Sequence, residues 1–431
     1  MLTDMDNLDR TKAPEIYELT GKKLPEVKRQ TLQNGVELVT LNQGEQPVNR
    51  LSVVWPVGDA DVDVPENLAV LSPTIIEGTA NRSGAEITEM LEYYGAWLKL
   101  SSSPHTTTLT LHTLNTTAKD VIPLASELIA GATYPQEAVE RIRARQAAMI
   151  EIDRRKVSSK ANLLGKEMLY GEGHPMARRL RTEVIAAVDS DSLKETHRRI
   201  LTGVKPTVYL AGLVTPSLES VVADMAGSIT FGAPDSFERN VVAMPAHCVS
   251  ETRRDPDETS MQTAVNLIIP TIGRFHEDYE KLRFATFALG GYFGSRLMSN
   301  IREEKGYTYG ISASLSAGLE GGSVRISCQT DKRHTEAVLK EIDYEIERLA
   351  SAAPDEVEMA IVKHTIMSGL TSMLDSPFSV MDYHTMADAM GLQSDYYARQ
   401  LEALRRFDGS TAREMAAKYL VGAVRLCALG G

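Results

Sequence analysis

The sequence predicts an α+β fold built twice: two similar domains, each a mixed or antiparallel sheet covered by helices, facing each other as a clamshell. Three observations carry this. The order of elements in the first half recurs in the second at an offset close to 215 residues. Within each half, apolar residues alternate with polar ones at a period of two, as half-buried strands require, and these stretches are separated by helical ones. A turn-rich, charged segment lies between the halves. A chain of 431 residues exceeds what one compact core accommodates. A single repeat of half the chain means duplicated domains and not a solenoid.

In chain order, residues 51–58 (LSVVWPVG) read as a buried strand ending at proline and glycine, and residues 265–273 (VNLIIPTIG) read the same way. An acidic loop follows each, then a Leu- and Ala-rich helical stretch, 67–76 in the first half and 279–289 in the second. A second helix and a Tyr-Gly step come next, with Tyr94-Gly95 matching Tyr309-Gly310. Further strands at 108–114 and 323–329 precede long amphipathic helices at 118–130 and 334–350. Another helix is expected over 136–155. The domains are therefore expected at 1–230 and 259–431, joined by a linker at 231–258 whose GAPDSFERN, MPAH and RRDPDET runs are turn formers.

The composition, 43% apolar and 24% charged, is that of a globular protein. A net charge of −12 argues against general nucleic-acid binding, which needs a basic surface. Cys248, Cys328 and Cys427 are far apart, so neither a zinc spacing nor a disulfide framework is expected. No apolar run reaches membrane-spanning length, and the polar, acidic N-terminus lacks signal-peptide character. The expected compartment is the cytoplasm, or the periplasm if a leader has been removed.

The most informative segment is 294–309, GSRLMSNIREEKGYTY. Leu297, Met298 and Ile301 share a helical face, and Gly306 is placed to end that helix. Arg302 falls in the last turn, where a cation also suits the helix dipole. Tyr307 and Tyr309 would share a strand face. An arginine fork and a tyrosine hydroxyl seven residues apart are suited to holding a polarised carbonyl.

The run FGSRLMSNIREEKGYTYG resembles the C-terminal-domain signature of the pitrilysin, insulysin and mitochondrial processing peptidase family. The resemblance extends to the duplication and the order of elements. It implies that Arg302 and Tyr309 match the pair that contacts substrate and supports the scissile carbonyl. Zinc-bearing members carry an inverted H-x-x-E-H on a helix of the first half, with two histidine ligands and a glutamate that activates water. Here the corresponding positions are Ala69, Ser72 and Pro73, within ENLAVLSPTIIEGT. None can serve, so no metal is expected in this chain. Glu151 lies near where a distal glutamate ligand belongs and reads as a surface carboxylate. The Gly-Gly…Asn-Ala edge-strand pattern is replaced by Gly95-Ala96-Trp97-Leu98, although the backbone could still accept an added strand.

None of the nine histidines is four residues from another. His105 and His112 would face opposite sides of a continuous strand. His384 and Asp388 have the spacing of a surface pair, and His174 in GEGHP reads as structural. GLEGG at 318–322 lacks the lysine and helix of a phosphate loop and reads as a hairpin turn. The resemblance then implies a non-catalytic, substrate-binding subunit of a zinc metallopeptidase. Its partner would be a homologous zinc-bearing subunit in a heterodimer, or a second copy of itself, acting on peptides. The alternative is a structural or peptide-binding scaffold, like core subunits of respiratory complexes. A third reading, a hydrolase using Ser101–Ser103 near His105, lacks an evident acid partner.

Overall fold

The computed structural model describes residues 11–12, 21–232, 239 and 241–431. Each half builds one sheet. The first contains β1 (Lys28–Thr31), β2 (Glu37–Asn42), β3 (Val48–Trp55), β4 (Trp97–Ser102), β5 (Thr107–Leu114) and β6 (Thr207–Gly212), in the order β1-β2-β6-β3-β5-β4. The second contains β7 (Glu251–Asp255), β8 (Gln262–Thr271), β9 (Thr308–Ala317), β10 (Gly322–Asp331) and β11 (Leu426–Gly430), in the order β7-β11-β8-β10-β9. Without β1, the two orders are the same. In each, the last strand returns from far along the chain, pairs antiparallel with the central one, and has a parallel neighbour. The strands expected at 51–58, 265–273, 108–114 and 323–329 are β3, β8, β5 and β10. β7 falls inside the stretch expected to be a linker, and it extends the second sheet; residues 233–238 and 240 of that stretch lie outside the described residues.

The helices of the first half are α1 (Pro65–Thr74), α2 (Gly84–Tyr93), α3 (Ala118–Gly131), α4 (Gln136–Arg154), α5 (Val157–Tyr170), α6 (Thr182–Ala187), α7 (Ser190–Ile200) and α8 (Pro216–Ser228). Those of the second are α9 (Tyr279–Gly290), α10 (Thr335–Ser351), α11 (Glu356–Ser372), α12 (Pro377–Met390), α13 (Tyr396–Arg406) and α14 (Gly409–Tyr419). Local chemistry explains several ends. Ser83 and Glu86 form a capping box at the start of α2. Gly95, at φ +63°, stops α2, and its counterpart is Gly306, at φ +66°. The Tyr94-Gly95 match to Tyr309-Gly310 is thus displaced in the structure, because Gly310 lies within β9.

Side chains of the first sheet alternate between two cores. Leu51, Val53, Trp55, Val208 and Leu210 face the core of their own half. Val39, Leu41, Val54, Tyr209 and Ala211 join the core that also holds Val265, Leu267 and Ile269 of the second sheet. The strand pattern predicts a sheet covered by helices on one face only; instead both faces are apolar, so each sheet needs a second cover, and the halves exchange one. Helix α5 of the first half lies on β8 and β11. A Cβ on Gly165 would come within 2.5 Å of Asn266 Nδ2 and 2.8 Å of Ile268 Cδ1, so glycine allows that approach. Helix α12 of the second half lies on β6 and β2. There the Arg29 guanidinium donates to both Asp388 oxygens at 2.8 and 2.9 Å, and Tyr209 Oη donates to Asp388 Oδ2 at 3.0 Å. His384 therefore does not pair with Asp388. It meets the Pro25 carbonyl at 2.9 Å.

Asp388→Ala leaves the Tyr209 hydroxyl without its acceptor and Arg29 with only Glu37, at 3.3 Å. We expect a loss of about 1–2 kcal/mol, seen as a lower unfolding midpoint and faster amide exchange in α12 and β6 before β8 and β10.

Candidate functional site

The corner from 295 to 309 is built as the spacing suggested, with one change. The turn over Met298–Glu304 is a π-helix, wider than the expected α-helix. Lys305 N donates to Asn300 O at 3.0 Å, five residues back, and Tyr307 N to Ile301 O at 3.0 Å. Such turns insert a residue and re-aim the side chains beyond it. The inserted turn is anchored by Asn300, whose amide donates to Glu341 at 3.0 Å and to the fully buried Glu345 at 2.9 Å. Leu297, Met298 and Ile301 are buried, as their shared face required.

Arg302 and Tyr309 come together. The Arg302 guanidinium carbon lies 4.4 Å from the Phe293 ring centre and 5.6 Å from that of Tyr309. Two aromatic faces thus hold one planar cation. Arg302 Nη1 is buried and has no hydrogen-bond partner among the described residues. Tyr309 is 93% exposed. It lines a groove of about 700 Å³ between the second sheet and α5, whose walls include Ser158, Asn162, Ser327 and Gln329. Phe293 was not singled out from sequence. Its signal was its place two residues before the Ser-Arg-Leu run.

The three degenerate positions lie on α1. The helix continues through Pro73 and ends one residue later, so the proline neither starts nor breaks it. It costs only the bond its nitrogen would have given Ala69. Ala69 faces a cavity of about 570 Å³ that is also lined by Gln146, Met149, Ile150, Asp59 and Lys166. Ser72 Oγ is buried without a partner among the described residues, and neither Ser72 nor Pro73 lines that cavity. Glu151 points elsewhere, accepting from Arg154 at 2.9 Å and Thr182 at 3.2 Å. The lining does not fit zinc, since α4 turns Met149 and Ile150 towards the space and α5 adds an ammonium. Among the described residues no three His, Cys, Asp or Glu side chains cluster as metal ligands.

Several histidines are occupied by backbone carbonyls. His174 meets Val242 at 3.0 Å, His197 meets Ile129 at 2.8 Å, and His247 meets Leu169 at 2.7 Å. His105 differs, and it supplies what the sequence reading missed. Its Nδ1 lies 2.9 Å from Asp61 of its own half, and its Nε2 bonds Glu320 of the other. Both carboxylates are almost wholly buried. GLEGG is the expected hairpin turn, closed by Gly318 N donating to Gly321 O at 3.0 Å, and it also carries Glu320 across the divide. With both ring nitrogens held by acids, His105 has none left to activate a serine. Ser103 Oγ instead bonds Thr106. Asp61 and Glu320 together raise the imidazole pKa to about 9.

With this geometry in view, comparison with known proteins is direct. Residues 187–366 match the family model described as the peptidase M16 inactive domain. An uncharacterized zinc protease of Mycobacterium tuberculosis is 25% identical over 369 residues, covering 82% of each chain. The crystal structure of a peptidase M16 inactive domain from Pseudomonas fluorescens superposes with a TM-score of 0.82 at 21% identity, over 94% of this chain and 97% of that one. A chain of complex III2 from Candida albicans gives 0.74 at 14% identity, over 94% and 96%. The chain is thus similar to peptidase M16 proteins in sequence over residues 187–366 and in fold over most of its length, and it lacks the inverted zinc motif. No helix among the described residues is long and apolar enough to cross a membrane.

The doubly bonded imidazolium gives a pH signature. Its folded pKa is raised, so its contribution is complete below the ordinary value of 6.5 and is lost as pH rises through about 9. Melting temperature should fall across that window, and His105→Gln should flatten the fall.

Proposed function

We propose that this chain is the metal-free, substrate-holding subunit of a zinc peptidase. It pairs with a homologous chain that carries H-x-x-E-H, and the zinc resides in that partner. The observation that supports this most strongly is the presentation of Arg302. Its guanidinium is held between Phe293 and Tyr309, with a buried Nη1 that has no acceptor among the described residues, and Tyr309 lines the adjoining groove. Desolvated donors left unpaired are costly unless a ligand satisfies them, and donors fixed in advance are what a developing oxyanion needs. The guanidinium and the Tyr309 hydroxyl would donate to the scissile carbonyl oxygen. The partner's metal would supply the activated water. The outer edges of β4 and β9 are free to pair with an extended peptide.

A second reading has its own support. The stacking of Arg302 on two rings also serves packing, and the fold is shared with a chain of complex III2. In that case the chain is a scaffold.

The experiment is reconstitution with a zinc-motif homologue. The lone chain should show no zinc-dependent peptidase activity and bind no stoichiometric zinc by elemental analysis. Arg302→Ala with Tyr309→Phe should lower the complex's kcat/KM by about 10²-fold or more and leave assembly intact. Unchanged turnover would favour the scaffold, and robust zinc-dependent cleavage by the chain alone would defeat both readings.

A further inference from the structure

Two rows of side chains that line the groove at Tyr309 run on beyond it at regular spacing. On α5, Ser158 and Asn162 line the groove, and Lys166 is the next residue of the same helical stripe, reaching the cavity beside Ala69. On β10, Gln329 and Ser327 line it, and Arg325 is the next residue facing the same way. The two rows converge. Gly165 rests on Ile268, and Ile268 is the register partner of Arg325 on the adjacent strand. The residue after Gly165 therefore comes beside Arg325, one from each half of the chain.

We propose that Lys166 and Arg325 form a subsite for a carboxylate on the bound peptide, an acidic side chain or a C-terminus, in the cleft between the halves. This rests on the peptide-holding reading above and names its substrate class. Neither cation has a hydrogen bond or ion pair to a described residue, although other half-buried arginines of this chain, such as Arg50 and Arg296, hold carboxylates. Burial lowers the pKa of both groups, and for Lys166 the neighbouring Arg325 adds to the effect, with Asp59 opposing it. Asp59 lies near Lys166 but makes no ion pair with it, and burial pushes its own carboxyl up. Glu320 and Asp61 are already engaged by His105. Two adjacent, partly desolvated cations that no described carboxylate contacts directly are completed by a bidentate acceptor, and a ligand doing so would bridge the two halves.

The test uses the full chain and two fluorescein-labelled nonapeptides that differ only in a central Glu or Gln, followed by anisotropy. The wild type should bind the Glu peptide about tenfold tighter at low salt. Lys166→Gln with Arg325→Gln should bring that ratio close to one, and Lys166→Arg should retain it; melting curves check folding. Equal binding of both peptides by the wild type, or a preference that survives the double substitution, overturns the subsite and leaves the peptide-holding reading standing. Acid-selective binding undiminished by Arg302→Ala with Tyr309→Phe supports the subsite and counts against that reading. Binding of neither peptide overturns both.

Discussion

Two sheets that are apolar on both faces cannot be closed by their own helices alone, and the rest of the molecule follows from this. Hydrophobic burial contributes about 25 cal/mol per Å², so a bare second face would cost far more than the marginal stability of a fold. The chain resolves this by exchange: α5 goes to the second sheet and α12 to the first. Val39, Leu41, Tyr209 and Ala211 then share a core with Val265 and Leu267. The two halves become one body, and the cleft between them has a fixed shape.

That fixed shape gives the polar groups in the cleft their meaning. His105 reaches one acid in each half, and α5 offers its polar stripe to the sheet of the other half. The π-turn at 298–304 then sets Arg302 between two rings at the open end of the same track. The α1 face at the other end presents Ala69 to a cavity whose lining combines methionine, isoleucine and lysine. The ring-held Arg302 and the methionine- and isoleucine-lined space at Ala69 are therefore properties of the folded chain.

Much of this was legible in the sequence. The duplication, the central strands, the stop at Gly306 and the meeting of Arg302 with Tyr309 all rest on local spacing, which a sequence records directly. That Ala69, Ser72 and Pro73 offer no metal-ligating side chain is likewise read straight from the sequence. What escaped notice depends on contacts between distant residues. The His105–Glu320 bond joins positions 215 apart, and no local pattern announces it. The π-turn depends on Asn300 reaching Glu345, which looks like an ordinary helix interior from sequence. One long-range feature did leave a trace: VVW in β3 and VNLII in β8 are nearly continuous apolar runs, the signature of strands covered on both sides.

The exchange of helices also orders events during synthesis. The cover for the first sheet is encoded at Pro377–Met390, well after the strands β2 and β6 that it covers. Until those residues leave the ribosome, the face bearing Val39, Leu41 and Tyr209 has nothing of its own to lie against. A chain made only as far as residue 376 leaves that apolar face open, and a transiently open face of this kind favours aggregation over productive folding.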